Sequence, residues 1–218
     1  MTTDRLISEL GSQLTPSPSR RPIWQITLLW LTVSAAYVAA TMLVLGPFRP
    51  GSLLQLAEHP RFALENAFGA GAIVFFALSA FFGSVPGMAT RWCRILGVTF
   101  LALWLADFVF GYVSPALDPS MFGKRGHCAL EAYLYSVPPT LAAIWIQARR
   151  YPLEPVRIAV HAALAAGMIP AVLMQLACMY APTHILQHHA LPVAVVAVVT
   201  GAVVYGLGRW PLFRRITR

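Results

Sequence analysis

Six stretches of this 218-residue chain are apolar over about the twenty residues that a helix needs to cross a bilayer. No soluble domain of this size can bury so much apolar surface, because its surface-to-volume ratio is too high. With 58% hydrophobic and 11% charged residues and a mean hydropathy of +0.66, the runs predict spans over 24–46, 63–85, 95–115, 128–147, 158–178 and 189–207. The connections are short. The expected fold is therefore all-α: an integral membrane bundle of six transmembrane helices over 24–208. A cytoplasmic segment, 1–23, precedes it with a short amphipathic helix, and a basic tail, 209–218, follows. Trp24, Trp92, Tyr151 and Trp210 lie near span ends, where amphipathic rings prefer the membrane interface. About 22 mostly polar residues precede the first run and no small-residue cleavage site follows it, so no removable signal peptide is expected.

Charge gives the spans a direction. Threaded in alternation, the connections divide the 16 basic residues 12 to 4. One side holds Arg5, Arg20, Arg21, Arg91, Arg94, Arg149, Arg150, Arg157, Arg209, Arg214, Arg215 and Arg218. The other holds Arg49, Arg61, Lys124 and Arg125. Cytoplasmic loops retain Lys and Arg, which predicts that both termini are inside. The net charge of +8 is then an anchoring charge that attracts anionic lipid headgroups, and no direct nucleic-acid partner is expected. No P-loop, dinucleotide fingerprint or nucleophile elbow is present, so an enzyme acting on a small-molecule substrate is not expected.

In the N-terminal segment, Thr3 suits a helix cap, Asp4 the positive helix end, and Gly11 the stop. Leu6, Ile7 and Leu10 then share one face. Pro16, Ser17, Pro18 and Ser19 read as an extended tether. A helix this short is marginal alone, so it gains order either in a groove on a partner or on the headgroups.

Two of the three cysteines, Cys128 and Cys178, open the fourth span and close the fifth, at the same predicted outer face. His127 and Glu131 flank the first; His184, His188 and His189 follow the second. Three chemistries compete: a structural disulfide closing a loop of about 50 residues, a reversible redox pair, and a site for zinc or a softer cation such as cadmium. Spacing does not choose among them. Cys93, beside Trp92 and Arg94, reads as an inert thiol on the inner side. Within the spans, Asp107 is the one carboxylate placed in a middle third. It must face the bundle interior or be protonated, while Glu65 and His161 are expected nearer the interface. Tyr133, Tyr135 and Gln175 read as interhelical hydrogen-bonding groups, and the small residues Gly69–Ala72 and Ala162, Ala163, Ala165, Ala166 as close-packing surfaces.

Several of these motifs occur together in one order: TDRLISEL at 3–10, the proline-rich tether, the spans, Cys128 followed by Pro138 in its helix, and the stretch from Cys178 through Pro182, His184 and His189 to Pro192. Together they resemble the NrsF-type family of membrane anti-sigma factors, negative regulators of sigma F and related extracytoplasmic-function sigma factors. The resemblance implies that the cytoplasmic N-terminus, through Thr3, Asp4, Leu6, Ile7 and Leu10, sequesters a sigma factor at a bacterial inner membrane. It implies that Cys128 and Cys178 perceive the releasing signal, with thiol-reactive oxidants and heavy metals as the signal class. Cys128, Cys178, His184 and His189 are the metal-ligand candidates. His188 stands where the family usually has Trp. The rival expectations are a membrane thiol oxidoreductase or haem protein built on His161, His184, His188 or His189, and a small transporter using Asp107.

Overall fold

The computed structural model of the chain describes residues 3, 5, 22–46, 48–150 and 152–209. Among them there is no strand. The elements are α1 (Ile23–Leu45), the short α2 (Ser52–Glu58), α3 (Pro60–Gly83), α4 (Arg91–Phe110), α5 (Cys128–Ala148), α6 (Pro155–Ala177), the single turn α7 (Pro182–Ile185), a π-helical turn (Leu186–Ala190) and α8 (Leu191–Arg209). Proline opens α3, α6 and α7, where its fixed φ suits the first helical residue and its missing N–H removes nothing.

Five helical segments are long and apolar enough to cross a membrane: α1, α3, α4, α6, and the run Pro182–Gly208 that ends in α8. The sixth expected span, α5, has 21 residues but is not among the helices apolar enough to cross. It carries Glu131, Pro138, Pro139 and Gln147. Five helices therefore have both the length and the apolarity of a span, and α5 has the length alone.

The bundle is organised around α6. Seventeen of its 23 residues are buried, and it packs against α1, α3, α5 and α8. A helix that is apolar on all sides belongs inside, and here Ala162, Ala163, Ala165, Ala166, Gly167 and Ala171 let neighbouring backbones approach. Among the glycines inside the described helices, the tightest site is Gly69 of α3. A Cβ there would fall 2.4 Å from Val172 Cγ2 of α6 and 3.2 Å from the Trp104 indole nitrogen of α4. The outer faces of α1 and α8 expose Leu28, Leu29, Val33, Val198, Val199 and Val203, as lipid-facing surfaces do. In α5, Pro138 and Pro139 interrupt the hydrogen-bond ladder, and the Trp30 indole of α1 donates to the Pro139 carbonyl at 3.0 Å.

The polar groups within the bundle depart from the sequence reading. Because α4 stops at Phe110, Asp107 lies in its last turn and not in a middle third. Arg61 at the start of α3 meets it, with Nε 3.2 Å from Oδ1, and the same guanidinium sits 4.8 Å from the Phe110 ring. Glu65 does not reach the interface. It is fully buried, accepts the Tyr180 hydroxyl at 2.8 Å and lies within hydrogen-bonding reach of Asp107. His161 is likewise buried, with Nδ1 3.0 Å from Ser79 Oγ. The Tyr135 hydroxyl lies within reach of Glu131 on its own helix, and the Gln175 amide is buried without a hydrogen-bond partner among the described residues.

This arrangement makes Asp107 a structural counter-charge to Arg61. Asp107→Asn is expected to lower stability by about 1–3 kcal/mol, less than for a fully buried pair because both side chains keep some solvent contact. Thermal unfolding in detergent checks this.

Candidate functional site

At one end of the bundle the chain gathers two thiols and two imidazoles. Cys128 is the first residue of α5, in a turn where Arg125 Nε pairs with Glu131 at 3.2 Å. Glu131 belongs there because the helix N-terminus favours negative charge. Cys178 follows the last residue of α6, with φ −108° and ψ 174°, and there the backbone leaves the helix. Arg49, from the α1–α2 connection, holds this exit: its backbone N–H donates to Leu176 O at 2.9 Å and its guanidinium to Cys178 O at 3.3 Å.

The imidazoles reach the thiols because of the π turn. In an α-helix, residues five apart point about 140° away from each other. In a π turn, whose hydrogen bonds run from i to i+5, that angle narrows to about 50°. His184 and His189 are five apart, and their rings stand 5.3 Å apart. The donor atoms of Cys128, Cys178, His184 and His189 all lie within 4.8 Å of one another. The two sulfurs are 2.7 Å apart, and Cys178 Sγ is 3.3 Å from His184 Nε2. His188 is outside this set of four. It packs its ring on His184 at 4.5 Å and, with His127, lines the cleft that leads to Cys128. Cys93 is remote, at the start of α4, and accepts from Thr90 Oγ1 at 2.9 Å.

The electrostatics make Cys178 the acceptor of the group. The Cys128 S–H, then the His184 and His189 rings, hold its thiol well below the ordinary range against the opposing effect of burial. Burial pushes the Arg49 guanidinium down from its ordinary value, and the neighbouring Cys178 and Tyr180 oppose that.

A thiophilic cation fits these residues. Two sulfurs and two imidazoles are the donors that zinc and softer ions take in tetrahedral sites. His189 is fully buried; its ring lies within reach of Cys178 but makes no hydrogen bond of standard geometry among the described residues. A buried polar group left unsatisfied is costly, and coordination would satisfy it. The sulfurs would separate to about 3.8 Å around a tetrahedral ion with ~2.3 Å bonds, or close to ~2.05 Å in a disulfide.

The other sequence candidates divide. His161 is held by Ser79 toward the opposite end, so it does not join the remaining histidines. Of the proposed partner-binding residues, Thr3 is helical and exposed. Asp4, Leu6, Ile7 and Leu10, the tether and residues 210–218 lie outside the described residues.

A helical bundle with membrane-length apolar helices and a thiol–imidazole cluster at one end defines a membrane protein with a soft-donor centre. The chain belongs to the NrsF family, negative regulator of sigma F, whose family model matches residues 10–210. That match takes in both cysteines and all of the cluster histidines, and it starts at Leu10, after most of the TDRLISEL segment. No curated protein and no solved structure matches the chain.

Proposed function

We propose that this protein is a membrane anti-sigma factor. Its N-terminal segment holds an extracytoplasmic-function sigma factor at the bacterial inner membrane, and events at Cys128 and Cys178 release it. Both termini lie in the cytoplasm, α5 serves as the sixth span, and the cluster faces outward. Family membership supports the regulatory role, and one observation carries the sensing role: four soft donors within 4.8 Å, contributed by α5, the end of α6, α7 and the π turn. The basic residues at that end support the orientation. Arg49, Arg61 and Arg125 are each engaged inside the protein, so they do not act as cytoplasmic anchors.

Two signals suit the site. An oxidant takes two electrons from the thiols, two protons leave, and a Cys128–Cys178 bond forms. Alternatively a thiophilic cation is held by the two sulfurs with His184 and His189. The first draws the sulfurs together and the second spreads them. Both tie the start of α5, the end of α6 and the π turn to one another. From there α5 leads past its proline pair to the Trp30 contact, and α1 leads back to the N-terminal segment. Such a device works only if the bundle has two packings, and a change from mostly bound to mostly free partner takes about 5.5 kcal/mol of differential stabilisation.

Deleting residues 2–12 tests the docking half of this proposal. The sigma-dependent promoter is expected to become fully active without any signal, while the truncated protein stays in the membrane at its normal level. A sigma factor that still sediments with membranes carrying the truncated protein would reject the assignment.

A further inference from the structure

The end of the bundle opposite the cysteines holds a second site. A cavity of about 180 Å³ lies where α3 ends and α4 and α6 begin, lined by Ser79, Thr90, Arg91, Arg94 and Arg157. Three arginines around one small cavity repel one another unless an anion joins them. The protein supplies little of that charge. Of the eight acidic residues in the sequence, Glu58, Glu65, Asp107, Asp118 and Glu131 belong to the cysteine end, and Asp4 and Glu9 to the N-terminal segment. Among residues 22–209 this leaves only Glu154. Its carboxylate pairs with Arg157 and is half exposed. Three arginines against one carboxylate leave the cavity two positive charges in excess.

The backbone adds to the excess. Thr90 and Glu154 precede α4 and α6, and neither side chain caps the helix it precedes. The first-turn N–H groups of both helices therefore keep their partial positive charge. Thr90 spends its hydroxyl on Cys93. Arg91 rests 5.2 Å from the Trp92 ring, and Arg94 has no ion-pair partner among the described residues.

The place of the cavity identifies the source of the anion. Trp92, beside it, is 61% exposed, and an exposed Trp at the end of a spanning helix marks the headgroup layer. An anion at this depth is a lipid phosphate more readily than a solute. Guanidinium groups match phosphate oxygens in geometry and charge. We propose that Arg91, Arg94 and Arg157 form a binding site for the phosphate of an anionic phospholipid headgroup. The excess charge selects among lipids, because a zwitterionic headgroup brings a second cation to a cavity that already has too many. The site is independent of the anti-sigma reading and of either signal at the cysteines.

Native mass spectrometry of the full chain, released from a neutral detergent in the presence of equal phosphatidylglycerol and phosphatidylcholine, tests this. Phosphatidylglycerol is expected to be retained about tenfold more. Arg94→Gln should cut that preference about fivefold, and Lys124→Gln, at the other end, should leave it unchanged. Arg94 is exposed, so the variant should fold, which circular dichroism verifies; Arg91→Gln serves as a second variant. Equal retention of both lipids, or an undiminished preference in both arginine variants, would overturn the proposal. Loss of bound phosphatidylglycerol on adding millimolar inorganic phosphate, with no preference between the lipids, would assign the cavity to free phosphate and overturn the lipid source.

Discussion

Exchanging Cys178 for serine is expected to silence the proposed response to oxidants and to thiophilic cations alike, whereas exchanging His189 for phenylalanine is expected to silence only the second. The asymmetry follows from the geometry of the cluster. Cys178 Sγ touches both Cys128 Sγ and His184 Nε2, so serine removes a bond-forming partner and a ligand in one step. His189 contributes a donor and no redox chemistry. Phenylalanine preserves much of its buried volume while deleting both nitrogens. A reporter for the released sigma factor, driven separately by a thiol oxidant and by cadmium, gives the readout. With Cys178→Ser it should stay at its uninduced level under both treatments. Cadmium affinity of the purified His189→Phe protein should fall by more than the roughly 10–100-fold that changes around a metal ligand cost. If His189→Phe answers cadmium as the parent does, the imidazoles are bystanders and the thiols act alone.

The largest effect on stability is expected at Gly69. Alanine adds one carbon where α3, α4 and α6 meet, 2.4 Å from Val172 Cγ2. A β-branched side chain has few rotamers with which to withdraw, and Trp104, on the other side, is fully buried and packed edge-on against Phe108. Overpacking of this kind costs about 1–3 kcal/mol. Val172→Ala should weaken the parent, because it opens a void, and yet partly restore Gly69→Ala, because it clears the carbon the new methyl meets. Thermal unfolding of the two single variants and the double variant forms a cycle whose coupling should favour the double variant. Simple additivity would mean that α3 and α6 move apart freely, in which case α6 is not the fixed centre of the bundle.

How much of this was legible in the residues differs from place to place. The apolar runs located every long helix, because length and hydropathy are local properties. Boundaries were harder, and they mattered: extending the third span to Pro115 moved Asp107 to mid-membrane and hid its partner, since Arg61 is 46 positions away in sequence. Glu65 was misjudged for a related reason. Its place near a helix end suggested the interface, but the connection carrying Tyr180 folds back over it. The thiols and histidines were visible as residue types, and the family pattern selected His184 and His189. Helical periodicity alone would have paired His184 with His188, four residues on. Only a turn of unusual pitch brings His189 round, and no residue between Leu186 and Ala190 announces one. The basic cavity was legible in part: the charge bias appeared as topology, but the convergence of Arg91, Arg94 and Arg157 depends on how α4 and α6 enter the bundle.

The π turn has one more implication. It carries a surplus residue, and omitting Gln187 would let the chain close into an ordinary α-helix. His184 and His189 would then stand four residues apart, about 40° around that helix, so the two imidazoles would still share a face. The turn thus absorbs one extra residue without scattering the donors, and the soft-donor centre should outlast the loss of a single codon there.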